Sequence, residues 1–307
     1  MLLNHTEMRR RYAMGLLFIL AMVAIATVLK DSELILPEIG ALTAGTWVYR
    51  KPTWIQHPYK LFLVPSGTAV IGFLINRLPW DYPVKVLVGV GLMLLLMKVL
   101  RSNLAPAFAT GLLPIIINAT HWSFIVAIFF WTLSLMAGVY LQREPRMKTA
   151  GSTIRPLQML GFLTLIVLWV VGVWLLGRPQ MAAIPPVVVV LFEAIQNTDY
   201  SYKMAIRQWV ALTGAASLGV GVHWLIASWL LAALVTLPLV YLLLGILKIK
   251  LPAAYAFPLL ALVLPATMEA TLPFAAAGSA ALFLGVLVGY RFLANWLPTL
   301  RTDDDQA

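Results

Sequence analysis

The sequence predicts an all-α polytopic membrane protein of about twelve transmembrane segments, built as two parallel six-segment repeats with short Pro-broken helices. Three observations predict it. Hydrophobic residues make up 61% of the 307 residues and charged ones 11%, with a mean hydropathy of +0.89; soluble domains carry about a quarter charged residues. Apolar runs recur from residue 14 to residue 296 with no long polar stretch between them, which leaves no room for a soluble catalytic domain. A shift of 147 residues lays the second half on the first without a gap: Ser66, Gly67, Ala69 and Gly72 meet Thr213, Gly214, Ala216 and Gly219, while Leu112, Ala119 and Gly138 meet Leu259, Ala266 and Gly285. A constant offset over six segments is the mark of a duplication. With an even number of crossings per copy, the copies share one orientation and are related by an axis along the membrane normal.

In chain order, residues 1–13 read as a cytoplasmic N-terminal tail. The first apolar run, 14–29, follows Arg9–Arg11 like a signal peptide, but no cleavage site precedes a polar domain, so it reads as a retained helix. Segments 34–49, 61–77, 84–100, 104–118 and 122–141 complete the first membrane repeat, 14–141. A basic cytoplasmic linker, 142–156, joins it to the second repeat, 157–298, whose segments are 157–177, 180–196, 205–226, 228–247, 251–266 and 273–297. Residues 299–307 form a C-terminal tail. Segments 34–49, 104–118, 180–196 and 251–266 offer only about 14–17 residues, or roughly 21–26 Å against ~30 Å of hydrocarbon. They must tilt, break, be buried among the others, or re-enter on the same face.

Charge favours crossing. With twelve crossings and a cytoplasmic N-terminus, Arg9, Arg10, Arg11, Arg50, Lys51, Lys60, Lys98, Arg101, Arg143, Arg146, Lys148, Arg155, Lys203, Arg207, Lys248, Lys250, Arg291 and Arg301 lie inside, and only Lys30, Arg77, Lys85 and Arg178 outside. This is the positive-inside pattern, with both termini cytoplasmic in a cell (plasma or inner) membrane. It explains the net charge of +10 without a nucleic-acid partner. Trp80, Tyr82, Trp122, Trp209, Trp229 and Trp296 stand near segment ends, as an aromatic belt does.

The chemistry-bearing residues are few. Zero cysteines exclude thiol chemistry, and His5, His57, His121 and His223 lack metal-ligand spacing, so no metal site and no cofactor is expected. Among the segments the ionisable residues are Glu38, Glu193 and His223, with Glu269 near an end. Intramembrane charge points to a functional site, yet Pro37-Glu38 is equally a helix opening, and Glu193 has Lys203 and Arg207 near it for pairing. The stripes Ser66, Gly67, Thr68 and Thr213, Gly214 allow close helix packing or present backbone to a substrate. Pro106, with Thr110 after it, and Pro252 open short segments; paired, Pro-interrupted segments at matching places point to a transporter's central site. Asn76 aligns with His223 near the outer ends of segments three and nine, where the pair would line an entrance or be solvated.

The half-repeat resembles the HPP family of integral membrane proteins. Pro37-Glu38-Ile39-Gly40-Ala41 resembles its early turn, His57-Pro58-Tyr59-Lys60 its basic loop, residues 66–72 its glycine-rich helix and Ala105-Pro106-Ala107 its late motif. Leu104-Ala105-Pro106 and Lys250-Leu251-Pro252 stand where the family has His-Pro-Pro. The resemblance implies transport of a small anion, such as nitrite.

The residues themselves point to a permease or secondary transporter of a small solute, ion-coupled or passive. Its partners would be the lipid bilayer, a small-molecule or ion substrate and a second copy in a homo-oligomer. A non-transporting scaffold or complex subunit is the alternative. An intramembrane enzyme is a third class, for which no HExxH, GxSxG or paired intramembrane aspartate is present and no catalytic residue is nominated. No nucleotide-binding loop of the GxxxxGK[ST] kind occurs either.

Overall fold

The computed structural model describes residues 5–142 and 155–296. The first four residues, most of the predicted linker (143–154) and the predicted tail at 299–307 lie outside the described residues, as do the side chains of His5 and of 294–296, including Trp296 of the predicted belt.

The described chain is helical, with no strand among the described residues. α1 is His5–Leu29, α2 Pro37–Thr43 running on as a π-turn over Ala44–Val48, α3 Pro52–Ile55, α4 Lys60–Asn76, α5 Tyr82–Val99, α6 Pro106–Ile116 and α7 Trp122–Leu141. α8 is Pro156–Leu175, α9 Pro185–Gln196, α10 Tyr202–Leu225, α11 Trp229–Leu247, α12 Ala256–Val263, α13 Ala266–Glu269 and α14 Leu272–Trp296. Three 3₁₀ turns, Ser32–Leu34, Pro179–Met181 and Pro252–Tyr255, precede α2, α9 and α12. Residues 5–13, read from sequence as tail, are the start of α1, where Arg11 pairs with Glu7 one turn back.

Among the described residues, six helices are long and apolar enough to cross a membrane: α1, α5, α7, α8, α11 and α14. The short helices α2, α6, α9 and α12 are the inside of the molecule. Every residue of α6 is buried, as is all of α2 and its π-turn except Trp47, and all of the Pro252–Tyr255 turn with α12 except Val263. They pack on one another as a ring: α2 on the Pro252–Tyr255 turn and α12, that turn on α9, α9 on α6, and α6 back on α2. Proline at the first position starts α2, α6 and α9, since its fixed φ suits the first turn and its missing N–H is unneeded there.

The bounds and contacts recur at the 147-residue interval. Ser32–Leu34 falls on Pro179–Met181, and α4, α5 and α6 fall on α10, α11 and α12 with its leading turn. α4 packs on α5, α6 and α7; α10 packs on α11, α12 and α14. α5 packs on α8, and α11 on α1. Helix ends repeat as well. Asp31 N–H donates to Ala26 C=O at 3.1 Å and Arg178 N–H to Val173 C=O at 2.8 Å, closing left-handed caps at Lys30 and Gly177. Ser102 N–H donates to Met97 C=O at 2.9 Å and Ile249 N–H to Leu244 C=O at 3.1 Å, with Arg101 and Lys248 left-handed.

Small residues set the closest approaches. A Cβ at Gly67 would lie 2.8 Å from Leu96 Cδ2, and one at Gly214 3.0 Å from Leu243 Cδ2. A Cβ at Gly72 would run into the carbonyl of Gly111, whereas at Gly219 it would stand 3.0 Å from Pro258 Cα. In lipid, where apolar side chains gain nothing by leaving solvent, such backbone-to-backbone packing supplies the association energy.

Candidate functional site

The residues singled out from sequence fall into three groups. In the first half, Ser66, Thr68, Asn76 and Thr110 share the seam of α4 with α6 and α7. Thr68 Oγ1 and Thr110 Oγ1 lie 2.6 Å apart, Thr68 also donates within reach of Pro65 C=O at 3.0 Å, and Ser66 Oγ is 3.5 Å from Thr132 Oγ1. Asn76 Nδ2 donates to Asn118 Oδ1 at 3.1 Å and Ala119 C=O at 3.0 Å. Thr68 and Thr110 are tied back to their own helices and to each other, and Ser66 reaches across to α7, so these side chains are satisfied packing elements. In the second half, Thr213 and Gly214 lie on α10, Pro252 opens the turn before α12, and His223 Nδ1 is 2.8 Å from Glu269 Oε1. Pro106 is the first residue of α6.

The third group is the glutamates, which differ completely. Glu193, near the end of α9, accepts from Lys51 Nζ with both oxygens, at 2.7 and 2.8 Å. Its partner is neither Lys203 nor Arg207 but a lysine from the first half, just beyond α2. Lys51 Nζ also sits 4.6 Å from the Trp54 ring centroid. Glu38, second residue of α2, is 0% exposed and neither carboxylate oxygen makes a hydrogen bond. A buried polar atom without a partner costs about 1–3 kcal/mol, more if charged, and in native proteins such an atom calls for an explanation.

Glu38 is not isolated in this respect. Thr43 Oγ1 and Trp47 Nε1, also on α2 and its π-turn, are buried without a hydrogen bond, and so is the hydroxyl of Tyr12 on α1. Tyr12 belongs to a cluster that sequence reasoning missed. Its ring centroid lies 4.2 Å from Tyr241 on α11 and 6.4 Å from Tyr255, and Tyr49 OH is 3.2 Å from Tyr255 OH. The cluster gathers residues from α1, the end of α2, α11 and the turn before α12, so both halves build it. Shifted by 147, its members become Met159, Gln196, Leu94 and Phe108. Phe108 there packs on Phe162 and Phe192, centroids 5.0 and 4.9 Å away, with no hydroxyl. Laying one half on the other would have found the four tyrosines as the positions where polarity was added on one side only.

No family model, curated protein or solved structure matches the chain. The functional reading therefore rests on the residues.

On the face where α1 ends, outside the helices, Glu33 accepts from the backbone N–H of Thr120 and His121, both at 3.1 Å, and lies 2.8 Å from His121 Nδ1. This hydrogen bond, helped by the carboxylate's charge, raises the His121 pKa above its ordinary value. A shallow cavity of about 540 Å³ lies there, lined by Lys30, Asp31, Ser32, Glu33, His121 and Ser123. Among the described residues no group of three or more His, Asp or Glu side chains is placed to hold a metal ion.

Proposed function

We propose that this chain is an integral membrane permease, a secondary transporter of a small solute, in which Glu38 takes up and releases the coupling proton. One observation carries the reading. A carboxyl that is fully buried and makes no hydrogen bond stands on a short helix at the centre of a membrane-type bundle, where an ionisable group is costly unless it works.

The proposal includes the finer architecture: twelve crossings, two parallel halves joined through 142–156, and both termini on the cytoplasmic face of a cell membrane. Polar links between helix ends support alternate crossing. Lys60 Nζ donates to Arg101 C=O, Arg50 Nη2 to Gln142 Oε1 and Lys51 to Glu193 on one face; Asn76 joins Asn118, and Glu33 joins His121, on the other. The repeated caps and glycine contacts support the two halves. The solute would bind within the ring of short helices, and the HPP-like pattern with its flanking cations suits a small anion.

The test is solute-driven proton movement into proteoliposomes carrying an internal pH dye, with a panel of small anions and aromatic acids. Wild type and Glu193→Gln move protons with one member of the panel, and Glu38→Gln does not. No movement with any solute, by folded protein, would shift the weight to a non-transporting scaffold.

A further inference from the structure

We infer that a narrow water-holding path runs along α2 to Glu38 from the face on which α1 begins, lined by hydroxyls of Tyr12, Tyr49, Tyr255 and Thr43. Its ligand is water, and its use is to carry the proton; it rests on the reading of Glu38 as the proton site.

Thr43 and Glu38 are both 0% exposed, and neither has a hydrogen-bond partner for its side-chain oxygens. The Tyr12 hydroxyl is buried and unpartnered too. Thr43 faces α1, its Cγ2 only 3.2 Å from where a Cβ at Gly15 would stand, which puts it one turn along from Tyr12. Tyr255 crosses from the other half: its carbonyl is 2.9 Å from a Cβ position at Gly40, and its hydroxyl is 3.2 Å from that of Tyr49. At ~1.5 Å and ~100° per residue, Glu38 and Thr43 stand roughly 7.5 Å apart along α2 and about 140° apart around it, so a chain of several waters at ~2.8 Å per hydrogen bond, rather than a single one, would link them. Orphan polar groups at membrane depth are met by neighbouring side chains or by ordered water, and here no side chain meets them.

The direction is set by what covers the other end. Ile35 and Leu36, just before Glu38 on the side where α1 ends, are 0% exposed and apolar and offer no side-chain group to hold water there. In the opposite interface the counterpart of Thr43 is Val190, 0% exposed and with no hydroxyl to hold water. One proton entering at the tyrosines is passed by O–H exchange from water to water and ends on a carboxylate oxygen of Glu38; the carboxylate becomes the acid and no other bond changes.

The chain has no cysteine, so single cysteines report cleanly. Thr43→Cys and Val190→Cys are reconstituted in one orientation and exposed to silver ion from each face, and remaining thiol is counted by maleimide after denaturation. Thr43→Cys reacts at least tenfold faster than Val190→Cys, and from the face on which α1 begins. Equal rates, or reaction of Thr43→Cys only from the opposite face, would overturn the path. If Thr43→Cys does not fold, deuterium exchange of the Glu38 carboxyl band in wild type, assigned with Glu38→Gln, decides: exchange slowed at least tenfold in Tyr12→Phe supports the path, and a band that never exchanges removes it. A reactive Thr43→Cys without solute-driven proton movement would end the permease reading and leave the path standing; transport with an unreactive Thr43→Cys would do the reverse.

Discussion

The α2 interface and the α9 interface correspond at the 147-residue interval and are filled differently. Each lays a short helix of one half on the Pro-opened segment of the other, α2 on the turn before α12 and α9 on α6, and each is flanked by a contact between a first and a fourth segment, α1 with α11 and α8 with α5. The α9 side is packed with Phe108, Phe162 and Phe192. The α2 side holds four tyrosines, an unpartnered threonine and an unpartnered glutamate. Even the helix changes: residues 44–48 widen into a π-turn, with Tyr49 N–H donating to Ala44 C=O at 2.8 Å, where α9 stays α-helical. π-turns often accompany functional sites, and this one leads into Tyr49 and Lys51. The difference teaches that packing and capping recur at the 147-residue interval, while the tyrosine hydroxyls and the unpartnered carboxyl of Glu38 stand at the α2 interface.

Four experiments sharpen or break that comparison. The largest effect belongs to the shared packing. Gly72→Ala drives a methyl into the Gly111 carbonyl and should cost about 3 kcal/mol, and Gly219→Ala, facing Pro258 Cα at 3.0 Å, about 1 kcal/mol. Thermal unfolding in detergent checks the order; equal costs would mean that the two seams are not the same contact at different tightness.

Next is the link between the halves. Lys51→Ala leaves Glu193 without its bidentate partner in a site where the side chains keep 26% and 23% of their exposure, so about 1–2 kcal/mol is expected after allowing for solvent screening. A double-mutant cycle with Glu193→Gln measures it, and additivity of the two substitutions would show the pair to contribute nothing.

Glu38 behaves in the opposite sense. Replacing an unpartnered buried carboxyl with methionine removes its desolvation cost, so Glu38→Met should raise stability by about 1 kcal/mol while abolishing proton movement. A loss of stability would reveal that Glu38 has a structural partner.

The smallest effect is on the face where α1 ends. Because Glu33 raises the His121 pKa, the pair's contribution is complete below the ordinary histidine pKa of about 6.5 and is lost as pH rises through the raised value. Melting temperature plotted against pH should therefore fall slightly above neutrality in wild type and less in His121→Gln; identical profiles would remove the pair from the account.

Much of this was legible in the chain. Helix bounds followed the apolar runs, and the stripes at Ser66 and Thr213 pack as small residues in lipid do, because these features are local or repeat at fixed distance. Pro37-Glu38 was readable as a helix opening, and it opens α2 with Glu38 fully buried. What was not legible depends on the two halves meeting: Glu193 finds Lys51, 142 residues away, rather than a cation nearby in sequence, and the tyrosines come from four separate elements. The π-turn has no sequence signature to read; within it, Gly45 leaves room for the Trp54 ring, which a Cβ there would meet.

The central claim is that two parallel halves each send a short, Pro-opened helix through the middle of the membrane. Sided thiol labelling of Lys98→Cys, Thr120→Cys, Lys250→Cys and Thr267→Cys in sealed vesicles tests it most directly, since these positions are exposed and flank α6 and α12. Residues 98 and 250 should label from one face, and 120 and 267, which are 147 apart, from the other. Labelling of 98 and 120 from the same face would make α6 re-entrant and contradict the account.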